Sequence, residues 1–124
     1  MKVAKDVMTR DVMRVQRTDT VAQAAEMMKQ RGIHSLLVDR ASPLDAYAII
    51  TDTDVVAKVV AQGRDPKQVK VQEVMTSPII TIPPDCALQD AAQLMARNHI
   101  NHLPVFDGRE LVGMLSSTDI FNVK

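Results

Sequence analysis

Aromatic residues are nearly missing from this 124-residue chain, which has no Trp, one Tyr and two Phe. That removes the stacking platforms on which single-stranded nucleic acid is held. Charge of one sign is missing too: 15 Lys and Arg offset 15 Asp and Glu, so no basic surplus is left to neutralise phosphates, which argues against a nucleic-acid partner. The one cysteine, Cys86, rules out an internal disulfide and fits a reducing compartment. An apolar run of about 18 residues is absent, so no membrane span is expected. The opening Met1-Lys2-Val3-Ala4-Lys5-Asp6 lacks the apolar centre of a signal peptide, and the expected location is cytoplasmic. There is no His/Cys cluster with metal-ligand spacing and no Ser-His-Asp or Cys-His pattern, so the chain reads as a binding protein and not an enzyme.

What the chain does have is an internal repeat. Val7-Met8-Thr9 returns as Val74-Met75-Thr76, and an offset of about 67 holds without a gap through Val38 and Val105. Along it Ala24 and Ala25 fall on Ala91 and Ala92, Met28 on Met95, Ile33 on Ile100, and Leu36 on Leu103. After Val38 the first copy is two residues longer, through Arg40-Ala41-Ser42-Pro43-Leu44-Asp45, where the second has the tight Asp107-Gly108-Arg109-Glu110.

Each copy parses as strand, helix, strand, strand, helix. Residues 12–15 and 79–82 are short β-branched runs ended by polar or proline residues. Val21, Ala24, Ala25 and Met28, and then Leu88, Ala91, Ala92 and Met95, recur at helical spacing. Asp19 and Asp85 are the expected N-terminal caps, with Gly32 and Asn98 at the far ends. Residues 35–39 and 102–106 read as buried strands, 47–50 and 111–115 as their partners, and 54–61 and 119–123 as closing helices. The expected fold class is α+β: residues 1–62 form one unit, 63–72 a linker and 73–124 the other. Each would hold a small three-stranded sheet with helices on one side. About 60 residues is marginal for independent folding, so the units are expected to pack face to face about a pseudo-twofold axis.

The chemistry concentrates at a corner that occurs twice, Ala48-Ile49-Ile50-Thr51-Asp52-Thr53-Asp54 and Gly113-Met114-Leu115-Ser116-Ser117-Thr118-Asp119. In each, an apolar strand runs into a hydroxyl residue and, three positions later, an aspartate in the first turn of a helix. Such a corner offers free backbone N–H groups and the positive end of the helix dipole to an anionic or hydroxyl-rich ligand. The plainer reading is that both aspartates only complement the helix dipole.

The Val-Met-Thr leads, the Ala- and Met-rich helices, the segment His102-Leu103-Pro104-Val105-Phe106-Asp107-Gly108 and the Gly-x-x-Ser-x-x-Asp corner resemble a CBS domain. From Val7 to Phe121 the chain resembles a tandem pair, or Bateman module. The resemblance implies a regulatory protein that binds AMP, ADP, ATP or S-adenosylmethionine in the cleft between paired units, the closing aspartate gripping the ribose hydroxyls. Carried over by position, one implied pocket combines Ser116, Asp119 and His102 with Asp19, Ala24, Ile33 and His34. The other combines Thr51, Asp54 and Ser35 with Cys86, Ala91, Ile100 and Asn101. The pocket with His34 and His102 is the one better suited to phosphate, since it brings two histidines where the other has none.

Three residues depart from the family pattern. Ala48 stands where the corner usually has Gly, which implies a less close ligand approach there. Asp52 sits beside Asp54, and Asp19 occupies a place where a hydroxyl residue is common, so an uncharged or cationic adenosyl ligand is favoured over ATP. The resemblance also implies a homodimer, a flat disc of four CBS units. The alternative function is a ligand-free interaction module that regulates an unidentified partner enzyme or transporter by contact. The eight methionines read as fillers of core and interface space, and Cys86 as a wall or cap residue.

Overall fold

The computed structural model describes residues 2–123. The chain divides into two compact units, one of residues Met13–Ile79 and a composite one of Met1–Val12 with Ile80–Lys124. These units differ from the boundaries expected from the repeat, because each Val-Met-Thr lead closes the opposite copy. Thr9 exchanges two backbone hydrogen bonds with Met114, both 2.9 Å, and Thr76 exchanges two with Ile49, 2.8 and 3.0 Å. Nor is 63–72 a free linker. Val69 and Val71 are buried, and Val21 N–H donates to the Val69 carbonyl at 2.8 Å.

In the 13–79 unit, strand β1 (Arg14–Val15) pairs in parallel with β2 (Ser35–Val38), which pairs antiparallel with β3 (Ala48–Thr51). Between β1 and β2 lies helix α2 (Val21–Arg31). After β3, the short α3 (Asp52–Val55) runs on as a wider π-helical turn over Val56–Val60. The apolar stripe Val21, Ala24 and Met28 packs with Leu36, Val38, Ile50 and Val59, and with Val69, Val71 and Val74 from the returning segment. Helix α2 starts at Thr20 rather than at the expected Asp19. Thr20 Oγ1 accepts from Gln23 N–H at 3.1 Å while Gln23 Oε1 accepts from Thr20 N–H at 2.8 Å, a reciprocal cap that Asp19 is one residue too early to make. Asp19 instead accepts from Gln16 N–H in the preceding turn. Gly32 ends the helix at φ 63° as expected.

The composite unit opens with the one-turn helix α1 (Ala4–Val7). Helix α4 (Leu88–Asn98) follows, then the antiparallel strands β4 (His102–Phe106) and β5 (Leu111–Ser116) and helix α5 (Ser117–Phe121). Its sheet has two strands, not three. Where a strand over 79–82 was expected, one parallel bridge joins Ile82 to Val105. Pro83 and Pro84 follow at once and supply no N–H donors to lengthen it. Ala87 is the N-cap of α4 without a side-chain hydrogen bond, so the expected cap at Asp85 is not formed, and His99 rather than Asn98 takes the left-handed C-terminal position at φ 53°. Ala4 and Met8 are buried with Ile82, Ala91, Met95, Leu103, Val105 and Leu115.

Candidate functional site

Both corners are built the same way. Thr51 and Ser116 leave the strand extended and become N-caps: each hydroxyl accepts the N–H of the aspartate three residues on at 3.1 Å. Asp54 returns an acceptor to Thr51 N–H at 3.0 Å, and Asp119 to Ser116 N–H at 2.9 Å. The next amide is also taken, since Asp52 N–H donates to the His34 carbonyl and Ser117 N–H to the Asn101 carbonyl, both at 2.9 Å. In the first corner Thr53 N–H donates to Asp52 Oδ1 at 2.8 Å as well. The free amides expected at these corners are therefore mostly consumed by the chain itself.

The implied site residues lie as follows, each within its own unit. In the 13–79 unit Ser35 pairs with Thr51 across β2 and β3, which brings Ser35, Thr51 and Asp54 to one corner. His34 Nδ1 lies 3.0 Å from Asp52 Oδ2, and both side chains are largely exposed. Ile33 is half-buried beyond Gly32, Asp19 sits in the turn before α2, and Ala24 is buried in the core. In the composite unit His102 pairs with Ser116, so His102, Ser116, Asp119 and the Asn101 carbonyl converge. Ile100 and Cys86 pack half-buried against the core and Ala91 lies within it. Neither Ala24 nor Ala91 presents side-chain surface, each being 0% exposed. Burial raises the Cys86 thiol above its ordinary range, and the Asp90 and Asp85 carboxylates push it further, which holds the sulfur protonated and poorly nucleophilic.

Gly113 has a reason that its sequence position did not reveal. A Cβ there would stand 2.5 Å from Met8 Sδ and 2.9 Å from the Thr9 carbonyl oxygen, so the missing side chain makes room for the chain's own lead segment. Lys58 is the residue that the sequence reading missed. Its ammonium lies 3.2 Å from Asp54 Oδ1, and the spacing of four residues on one helix was the available signal.

Beside the first corner, a cavity of about 440 Å³ is lined by Ala25, Met28, Ile33, Val55, Val56 and Val60, with Lys29, His34 and Asp52 as its charged or titratable members. Val56 and Val60 are 59% and 64% exposed. Among the described residues no group of acidic, His or Cys side chains is placed to hold a metal ion, and no helix is long and apolar enough to cross a membrane.

Two small α+β units, each closed by a hydroxyl-and-aspartate corner, define a CBS pair. The CBS domain family matches the chain over residues 4–61 and 71–124, and the chain belongs to that family. It is 37% identical over 120 residues to the CBS domain-containing protein YhcV of Bacillus subtilis, spanning 97% of this chain and 84% of that one. Two further relatives are longer, and the matches span 61% and 51% of them. Among solved structures, the hexameric CBS-CP12 protein from bloom-forming cyanobacteria superposes with a TM-score of 0.91 at 35% identity, covering 98% of this chain and 70% of that one. The CBS domain pair of protein MJ0100, in complex with 5'-methylthioadenosine and S-adenosyl-L-methionine, superposes with a TM-score of 0.83 at 26% identity and 97% coverage of both chains.

Proposed function

We propose that the chain is a non-catalytic regulatory module that binds an adenosine-containing ligand, with the Asp119 carboxylate accepting from the ribose hydroxyls. The observation that carries this is the state of that carboxylate. Oδ2 accepts from Ser116 N–H, which fixes the side chain, while Oδ1 has no partner among the described residues. A held carboxylate with spare acceptor capacity suits a vicinal diol, because each hydroxyl can donate to it in a charge-assisted bond. The adenosyl ligands of the MJ0100 pair support the same ligand class.

With Ser117 and Asp119 amides already used, Thr118 N–H is the one of the first three not engaged among the described residues, and no Lys or Arg lies among residues 116–119. A triphosphate has little to hold it here, so AMP and S-adenosylmethionine are expected to bind more tightly than ATP. Isothermal titration with AMP, ADP, ATP and S-adenosylmethionine tests the reading. Saturable binding of at least one at micromolar concentration is expected, and no heat from any of them removes it.

The exposed Val56 and Val60 beside the apolar cavity support a second element of the reading, self-association into a homodimer that covers this face. Sedimentation at micromolar concentration is expected to give a dimer, and a monomer would contradict it. A protein partner regulated by contact would use the same kind of surface, so association without ligand binding is the outcome that favours a pure interaction module.

A further inference from the structure

The two corners share a backbone plan but not a chemical state. At the first, both oxygens of the Asp54 carboxylate are committed: Oδ2 accepts from Thr51 N–H at 3.0 Å, and Oδ1 pairs with Lys58 Nζ at 3.2 Å. The Asp54 side chain is 13% exposed, so this pair is shielded from water on one side. Lys58 is anchored at a second point, donating to the Val74 carbonyl at 2.8 Å. That carbonyl belongs to the lead segment that closes the 13–79 unit through Thr76 and Ile49. An ammonium has three donors; here one is spent on the Val74 carbonyl while the charge faces Asp54 Oδ1. At the second corner the residue four positions after Asp119 is Val123, which has no charge to offer, and Asp119 Oδ1 has no partner among the described residues.

We propose that Lys58 is a built-in occupant of the Asp54 carboxylate that confines adenosine-ligand binding to Asp119, leaving one working site per chain where the repeat suggests two. The inference rests on the ribose reading of these aspartates. For a ribose to bind at Asp54 as at Asp119, its two neutral hydroxyls have to share Oδ1 with the ammonium or displace it from a largely buried carboxylate and from the Val74 carbonyl, and either competes with the ion pair. At Asp119 the same hydroxyls meet an oxygen that no described residue has to vacate. A surface lysine four residues from an aspartate would ordinarily be a weak helix staple. The second anchor at Val74 and the burial of Asp54 make this one a fixed occupant.

Calorimetric titration of the full chain with AMP and with S-adenosylmethionine, comparing wild type, Lys58→Met and Lys58→Arg, tests the proposal. The expected stoichiometry is one ligand per chain for wild type, two for Lys58→Met, and one for Lys58→Arg, which restores the cation. Two ligands per wild-type chain overturn the role of Lys58 and leave the ribose reading standing, and so does a Lys58→Met protein that still binds one. No binding by wild type or variant instead removes the ribose reading and the inference with it. If Lys58→Met does not fold, Lys58→Gln carries the same expectation, two ligands per chain, with one as the overturning result.

Discussion

Removing residues 1–12 is expected to destabilise the composite unit by about 3–5 kcal/mol, a large share of the roughly 5–15 kcal/mol that holds a domain of this size together. The deletion takes away Ala4 and Met8, both buried in that core, and Val7, which packs against it. It also takes away backbone hydrogen bonds from Ala4 N–H to the Cys86 carbonyl, Lys5 N–H to the Pro84 carbonyl, and both ways between Thr9 and Met114. Burial of a methionine contributes about 1.5–3 kcal/mol and each hydrogen bond about 0.5–1.5 kcal/mol, before the entropy of ordering the segment is subtracted. The space over Gly113 that Met8 fills would open to water. Hydrogen exchange read by mass spectrometry locates the damage. Protection is expected to fall most over β4 and β5, residues 102–106 and 111–116. A fall centred instead on 35–38 and 48–51 would restore the boundary that the repeat alone suggests.

That boundary shows where the sequence was legible and where it was not. The repeat, the helices over Val21–Arg31 and Leu88–Asn98, the paired strands after them and the two corners were all readable, because apolar spacing and turn residues are local signals. Lead segments that close the opposite copy left no local mark. Val7-Met8-Thr9 and Val74-Met75-Thr76 are equally consistent with packing on either copy, and only long-range pairing with Met114 and Ile49 decides. The caps failed for a different reason. Asp19 and Asp85 are strong capping residues by type, but Thr20 with Gln23 supplies a reciprocal pair and Asp85 lies two positions ahead of Ala87, out of reach. At the site, the hydroxyl and aspartate spacing was visible, whereas the consumption of the amides and the pairing of Asp54 with Lys58 depend on geometry that a motif does not carry.

Asp119→Ala is expected to weaken binding of AMP or S-adenosylmethionine at least tenfold, about 1.4 kcal/mol or more, because charge-assisted hydrogen bonds to an ionised carboxylate contribute about 1.5–3 kcal/mol each. The substitution also removes the acceptor for Ser116 N–H, half of the reciprocal cap of α5. A cap of this kind contributes about 0.5–2 kcal/mol, so the unfolding midpoint is expected to drop modestly while the protein stays folded at 25 °C. Asp119→Asn separates the two effects, since an amide oxygen keeps an acceptor for Ser116 N–H but loses the charge that the ribose hydroxyls meet.

The most direct test of ligand capture by Asp119 is calorimetric titration of wild type, Asp119→Ala and Asp119→Asn with the same ligand, on samples shown to be folded by circular dichroism. The predicted result is one site per wild-type chain, with affinity reduced at least tenfold in both variants although Asp119→Asn retains the helix cap. Affinities within twofold of wild type in both folded variants would contradict it and return Asp119 to the role of a helix cap alone.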